Sequence, residues 1–228
     1  MKLSLVSRRL MVGGLLATPI MSCSDSKREQ GATVTPDIPA QIALPAGLIE
    51  IKPETTGIQL DLRYASDNNF TGRVLYNQAR AFLQGVAADA LMRAQESAMK
   101  EGFGLTIFDT YRPWRVTKQL WDATPRSQRK YVANPKRGSR HNRGCAVDLS
   151  LHALETGALV EMPSAFDDFS ERAHRDYMRA SAEAIANRTR LAGYMEDEGF
   201  IGMSNEWWHF DYKDWREYPV LDLPFEDL

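Results

Sequence analysis

The strongest constraint on the fold of this chain comes from two short stretches that lie far apart in the sequence. Residues 139–148 read SRHNRGCAVD, and residues 206–211 read EWWHFD. The chain has only four histidines, and each stretch contains one of them together with at least one carboxylate. A site that uses both stretches requires a fold that brings a loop and two strands to one point.

The pattern around His141 and Asp148 predicts a loop followed by a strand. Residues 134–144 include an Asn-Pro pair and glycines, which is typical of a loop. Residues 146–151 are predicted to form a strand that directs Asp148 inward. Gly144 allows the turn by which the His141 side chain folds back toward that strand.

The spacing of Glu206 and His209 sets a geometric condition. A Glu three residues before a His resembles the common pairing of a general base with a metal ligand. Residues 207–212 are predicted to form the last strand, and positions i and i+3 of a regular strand face opposite sides. We therefore expect either that Glu206 precedes the strand or that a bulge re-aims its side chain.

These residue types match the chemistry of catalytic zinc, which takes three His, Asp or Glu ligands and leaves one position open for water. Taken alone, His141 is more typical of a loop histidine, and Asp148 of a capping or ion-paired acid. The two tryptophans of EWWHFD are equally typical of packing residues. The prediction of a zinc site therefore rests on the presence of both stretches in one chain. Cys145 is predicted to be a small buried residue and not a ligand.

Secondary-structure patterns predict a single domain of the α+β class. Strands and helices mix without a βαβα rhythm, which favours a central antiparallel or mixed sheet with flanking helices. We predict strands over 57–64, 105–108, 146–151 and 207–212, and helices over 79–100, from Pro113 onward, and over most of 170–199 with a junction near Gly193.

The N-terminal residues predict export. Three cations precede a short apolar stretch that ends near Met21, so residues 1–22 are predicted to be a signal peptide. Residues 20–23 are similar to a lipobox, which predicts a lipid anchor on Cys23, and residues 7–11 are similar to a twin-arginine signal. We expect a protein of the periplasm or cell envelope.

The sequence after this leader divides into a tether and a domain. Residues 23–47 are polar and contain prolines without periodicity, which predicts a flexible tether. Residues 48–228 are predicted to form the folded domain. The chain has two cysteines, so lipidation of Cys23 leaves no internal disulfide. The net charge is −2, which argues against general electrostatic binding of nucleic acid.

Several motifs together resemble a known family. The pattern Ser-x-His-x-x-Gly-x-Ala-x-Asp followed by Glu-x-x-His is similar to that of the zinc D-Ala-D-Ala peptidases and of the amino-terminal signalling domain of hedgehog proteins. Narrower matches resemble the D-Ala-D-Ala dipeptidase branch, which includes the dipeptidase of vancomycin resistance, over about residues 50–215. These matches are DLRYA at 61–65, NFTG at 69–72, YRP at 111–113, FD at 166–167 and EWWH at 206–209.

The resemblance implies specific roles. His141, Asp148 and His209 are expected to hold one Zn²⁺. Apart from the resemblance, we expect Asp211, two residues after His209, to support that ring. Two neutral histidines and one carboxylate leave such a site net positive, so water there loses a proton near neutral pH. The resemblance makes Glu206 the general base and places Arg112 against the oxyanion of the scissile carbonyl. The simpler interpretation of Arg112 is a salt bridge.

The ends of a dipeptide substrate also need partners. The resemblance implies that Asp167 binds the substrate ammonium, although the adjacent Asp168 leaves that choice open. Ser139 is expected to contact the substrate carboxylate. Both acids are otherwise typical of a solvated loop.

The expected function is hydrolysis of D-alanyl-D-alanine to two D-alanines. Because an exported enzyme does not reach the cytoplasmic dipeptide pool, we predict salvage during cell-wall peptidoglycan turnover. One alternative is a zinc D,D-carboxypeptidase that trims peptidoglycan stem peptides, and another is a hedgehog-like metal-bearing binding module. The presence of both Glu206 and Arg112 argues against the binding module. The sequence does not fix the oligomeric state.

Overall fold

The computed structural model describes residues 47–228 of the chain. The predicted signal peptide, Cys23 and the predicted tether up to residue 46 lie outside the described residues. Within residues 47–228, none of the helices combines the length and the apolar character that crossing a membrane requires.

A two-stranded antiparallel sheet opens the described part. It pairs β1 (Leu48–Ile51) with β3 (Ala81–Gln84), and β3 leads directly into α2 (Gly85–Lys100). The prediction of a helix over 79–100 was therefore wrong at its start, because residues 81–84 form a strand. All four residues of β3 are buried, and pairing with β1 outweighs the helical spacing of their apolar side chains.

A mixed five-stranded sheet carries the rest of the fold. The strands are β2 (Gln59–Leu60), β4 (Phe103–Asp109), β5 (Ala146–Ala153), β6 (Phe200–Met203) and β7 (Glu206–Tyr212). Their order in the sheet is β2-β4-β5-β7-β6; β2 is parallel to β4, and the three remaining pairs are antiparallel. Three predicted strands are confirmed as β4, β5 and β7. The predicted strand over 57–64 shortens to β2, since residues 63–65 form a 3₁₀ turn.

The helices pack against the sheet and one another. After the short α1 (Pro53–Thr56) and α2 come α3 (Trp114–Ala123) and α4 (Ala182–Asp197), and α2 and α4 contact each other and the sheet. Pro113 precedes α3 as predicted, and Val116 and Leu120 are buried. The helix predicted over 170–199 was too long: α4 begins where the Ser181 hydroxyl accepts from the Ala184 amide, and it runs through Gly193 without a break.

Two apolar clusters stabilise this arrangement, and the α+β class is confirmed. The larger cluster joins α2 and α4 to the central strands. The smaller cluster surrounds Phe225, whose ring meets those of Tyr76, Phe82 and Tyr111. This second cluster fixes the end of β4 and the start of α3, the segment that contains Arg112.

Candidate active site and metal centre

The turn that carries His141 depends on Gly144. Residues His141–Arg143 form a single 3₁₀ turn, which Gly144 closes with a φ of 66°. A Cβ at this position would lie 2.4 Å from Leu48 Cδ2, so both the backbone angle and the packing require glycine. The predicted role of Gly144 in folding His141 back is confirmed.

Strand register places the other predicted ligands side by side. Asp148 on β5 pairs directly with His209 on β7, and on its other side it pairs with Asp109 on β4. Opposite residues on neighbouring strands have Cβ atoms only about 5 Å apart. Three adjacent strands therefore present an acid, a second acid and a histidine in one row.

The three predicted ligands converge on one point and are buried. His141 Nε2 lies 3.2 Å from His209 Nδ1. Asp148 contacts both rings, with Oδ1 at 2.9 Å from His209 Nδ1 and Oδ2 at 3.3 Å from His141 Nε2.

Hydrogen bonds at the outward nitrogen of each ring set its tautomer, so the inward nitrogen carries a lone pair. His141 Nδ1 lies 2.7 Å from the Thr110 carbonyl oxygen, which can only accept, so Nδ1 carries the proton. His209 Nε2 lies 2.9 Å from Asp211 Oδ1. Burial raises the pKa of Asp211, but the hydrogen bond from His209 together with the charges of His209 and Arg140 lowers it below its usual value, so this carboxylate also accepts. Asp211 therefore supports His209 as expected.

This arrangement suits a cation among the inward atoms. Two imidazole lone pairs and a carboxylate that face one another at these distances repel unless a proton or a metal ion lies between them. Two His nitrogens and one carboxylate oxygen are also a ligand set of catalytic zinc. The residues present thus fit a divalent metal of this class.

A bulge re-aims Glu206 toward this cluster. On β6, Gly202 pairs with Phe210, but the next residue, Met203, pairs with Glu206, so β7 contains extra residues between these pairs. Glu206 Oε2 lies 4.0 Å from His209 Nδ1. Glu206 and His209 can therefore face the same site because the strand pairing is interrupted between them, which is the second of the two predicted solutions. Burial raises the pKa of Glu206 to about 7.

Arg112 lies beside the cluster and is held by a buried acid. Its Nε and Nη2 donate to Asp109 Oδ2 at 2.9 Å and 2.6 Å. Tyr76 Oη donates to the other oxygen of Asp109 at 2.6 Å, and the guanidinium lies over the Tyr64 ring. The salt-bridge interpretation of Arg112 is therefore correct, and the same bond aims the side chain at the cavity, where it also approaches Asp148 at 3.8 Å.

Asp109, Tyr64 and Tyr76 belong to the site although no sequence pattern predicted a role for them. Two signals were available: Asp109 ends a buried strand three residues before Arg112, and Tyr64 lies in the DLRYA motif. Tyr76 lies in a segment without periodicity and offered no signal.

Asp167 and Ser139 lie at the cavity wall. Asp167 has a φ of 58°, which is rare outside glycine, and accepts from Tyr64 Oη at 3.0 Å. Burial and then repulsion by Asp148 raise the pKa of Asp167. The Ser139 hydroxyl oxygen accepts from the Asn142 amide at 3.3 Å, which leaves its proton free to donate. Asp168 is not among the lining residues.

One cavity of about 210 Å³ unites these side chains. All the predicted site residues line it: Arg112, Ser139, His141, Asp148, Asp167, Glu206 and His209. Tyr64, Lys130 and Arg140 contribute to its wall. Cys145 is buried in the apolar core as predicted, and burial raises its pKa to about 12.

Comparison with known proteins gives a consistent result. A family profile described as D-ala-D-ala dipeptidase matches residues 45–225. The chain is 37% identical to a D-alanyl-D-alanine dipeptidase of Escherichia coli (strain K12), over 76% of this chain and 89% of the relative. It is 36% identical to one of Enterococcus faecium, over 74% and 93% respectively. A third relative, from Streptomyces coelicolor, is 34% identical over 75% and 92%.

Replacement of Asp211 tests its support of His209. We expect Asp211→Ala to weaken zinc binding by about 10- to 100-fold, because the His209 ring loses the acceptor that fixes its tautomer and orientation. The measurement is competition for zinc against a chelator of known affinity. Asp214→Ala, which removes an exposed acid nearby, is the control. An Asp211→Ala affinity equal to that of the control would contradict the assignment.

Proposed function

The chain belongs to the D-Ala-D-Ala dipeptidase family of metallopeptidases, and on that premise we infer that it hydrolyses D-alanyl-D-alanine to two D-alanines. The observation that carries this inference is the convergence in one small cavity of a candidate metal cluster, two further acids and an arginine.

We propose that His141 Nε2, His209 Nδ1 and the Asp148 carboxylate hold one Zn²⁺. When bound, the ion polarises the scissile carbonyl and lowers the pKa of water. Asp211 and the Thr110 carbonyl keep both rings in the tautomer that ligation requires.

Glu206 serves as the general base. It accepts a proton from the attacking water, whose oxygen bonds to the carbonyl carbon, and delivers that proton to the leaving amine as the C–N bond breaks. In the metal-free protein, burial raises the pKa of Glu206 to about 7, so this site favours proton uptake by the carboxylate more than water does.

Arg112 stabilises the oxyanion that develops on the scissile carbonyl. Its guanidinium is buried and tied to Asp109, so it keeps its orientation without reorganising during the reaction. Such a fixed donor in a site shielded from water stabilises developing charge more strongly than a mobile one.

Asp167 and Ser139 bind the two charged ends of the substrate. Burial makes an unpaired Asp167 carboxylate costly, and a substrate ammonium offsets that cost. The free Ser139 proton can donate to the substrate carboxylate. An acid that requires a free ammonium favours the dipeptidase over the D,D-carboxypeptidase, whose substrates have an amide at that position.

We further propose that the protein is exported, carries a lipid anchor on Cys23, and recovers D-alanine from wall turnover. The leader-like residues 1–22 and the lipobox-like residues 20–23 support this proposal. Expression in a vancomycin-sensitive host, with the leader and with residues 1–22 removed, tests it. We expect no protection by the exported form, and clear protection by that form would contradict the salvage role.

The first activity test compares the wild type with Glu206→Gln on D-Ala-D-Ala and on a pentapeptide that ends in D-Ala-D-Ala. We expect turnover of the dipeptide, and a kcat lowered about 10²- to 10⁴-fold in Glu206→Gln with its zinc content unchanged. Glu217→Gln, an exposed change of the same kind, is the control. Faster turnover of the pentapeptide would instead assign a carboxypeptidase.

The role of Asp167 is tested with N-acetyl-D-Ala-D-Ala, which lacks the ammonium. The wild type is expected to prefer the free dipeptide, and Asp167→Asn to reduce the ratio of the two kcat/KM values by about tenfold or more. Asp168→Asn provides a neighbouring control that leaves the ratio unchanged. Equal changes of the kcat/KM ratio in both variants would show that neither acid binds the substrate ammonium specifically.

A further inference from the structure

A strongly cationic segment borders the active-site cavity. Residues 123–147 contain seven Lys and Arg residues and no Asp or Glu, although the whole chain has a net charge of −2. Part of this segment lines a second groove of about 280 Å³, to which it contributes Arg129, Lys130, Arg137 and Arg140. None of the residues that line this groove is acidic.

Most of the positive charge of the groove is not neutralised. Within residues 47–228, Arg140 pairs with Asp211 at 3.2 Å, whereas Arg129, Lys130 and Arg137 form no ion pair. The Arg129 guanidinium lies over the Trp121 ring, and Lys130 Nζ lies over the Tyr131 ring. These contacts position the cations and leave their charge available to an anion.

The groove adjoins the active-site cavity. Both are lined by Lys130, Val132, Ala133 and Arg140. Of the cations that line the cavity, Arg112 pairs with Asp109 and Arg140 with Asp211, whereas Lys130 forms no ion pair within residues 47–228. Ser139, the proposed partner of the substrate carboxylate, lies between Gly138 and Arg140, which both line the groove. We therefore expect the C-terminal residue of a bound dipeptide to lie next to the groove.

We propose that this groove is a subsite for an acidic side chain on the C-terminal residue of the substrate. It gives the enzyme a preference for dipeptides of the form D-Ala-D-X in which X carries a second carboxylate. The inference rests on the proposed dipeptidase function and extends it to a substrate class. Opposite charges arranged along a partly enclosed groove select a ligand mainly through binding.

The test compares D-Ala-D-Glu with D-Ala-D-Gln, which has the same shape without the charge. With the full chain loaded with zinc, we expect kcat/KM for D-Ala-D-Glu to exceed that for D-Ala-D-Gln roughly tenfold, mostly through KM. High salt is expected to shrink this ratio, because ions screen partly exposed charges.

A pair of charge reversals locates the effect. Arg137→Glu is expected to bring the D-Glu to D-Gln ratio to one or below. Lys136→Glu changes the net charge equally at an exposed neighbour that does not line the groove, and it is expected to keep the ratio within about twofold of the wild type. The ratio is measured within each variant, so differences in folded fraction cancel, and the salt series in the wild type needs no variant.

The outcomes separate this inference from the proposed function. A wild type that hydrolyses D-Ala-D-Ala but treats D-Ala-D-Glu and D-Ala-D-Gln alike overturns the inference alone. Equal losses in Arg137→Glu and Lys136→Glu overturn it too, since the preference then reflects net charge and not the groove. A zinc-loaded wild type that hydrolyses none of these dipeptides overturns both.

Discussion

The structure depends on the close approach of three electron-rich atoms: one nitrogen from each of two histidines and a carboxylate oxygen. Each ring is held from behind, His141 by the Thr110 carbonyl and His209 by Asp211, so neither can turn its lone pair away. Such a cluster is stable only with a cation inside it. Without metal, hydrogen bonds to Asp148 and Asp211 overcome the effect of burial and raise the pKa of His209, so a proton fills that role. The fold thus prepares the metal site before metal arrives.

The second constraint is the burial of charge around Arg112. Its guanidinium and the Asp109 carboxylate are almost fully removed from water, and such a pair is stable only when its remaining polar atoms are satisfied. The Tyr76 hydroxyl donates a hydrogen bond to the second oxygen of Asp109, and the aromatic cluster around Phe225 holds Tyr76 in place. The C-terminal residues therefore influence the site by fixing the aromatic wall behind Arg112.

Sequence patterns predicted that His141, Asp148 and His209 come together, the strands that carry two of them and the α+β class, because loop, glycine and strand signals around His141 and Asp148 are local. They misassigned residues 81–84, since pairing with β1 is a tertiary effect that helical spacing does not reveal. The roles of Asp109 and Tyr76 depend on contacts between segments distant in sequence and also escaped prediction. The spacing of Glu206 and His209 required either that Glu206 precede the strand or that a bulge re-aim it. Only the register of β6 against β7 shows that the bulge applies.

Calorimetric titration of zinc into the metal-free protein, in buffers of different ionisation enthalpy, tests most directly whether His141, Asp148 and His209 form a metal site. We predict one zinc per chain, with a proton released near neutral pH as the metal displaces the proton on His209. His141→Ala is expected to abolish tight binding, whereas His174→Ala, which removes a histidine outside the cluster, is expected to preserve it. Tight binding that survives His141→Ala, or binding without proton release, would show that the cluster is not the metal site.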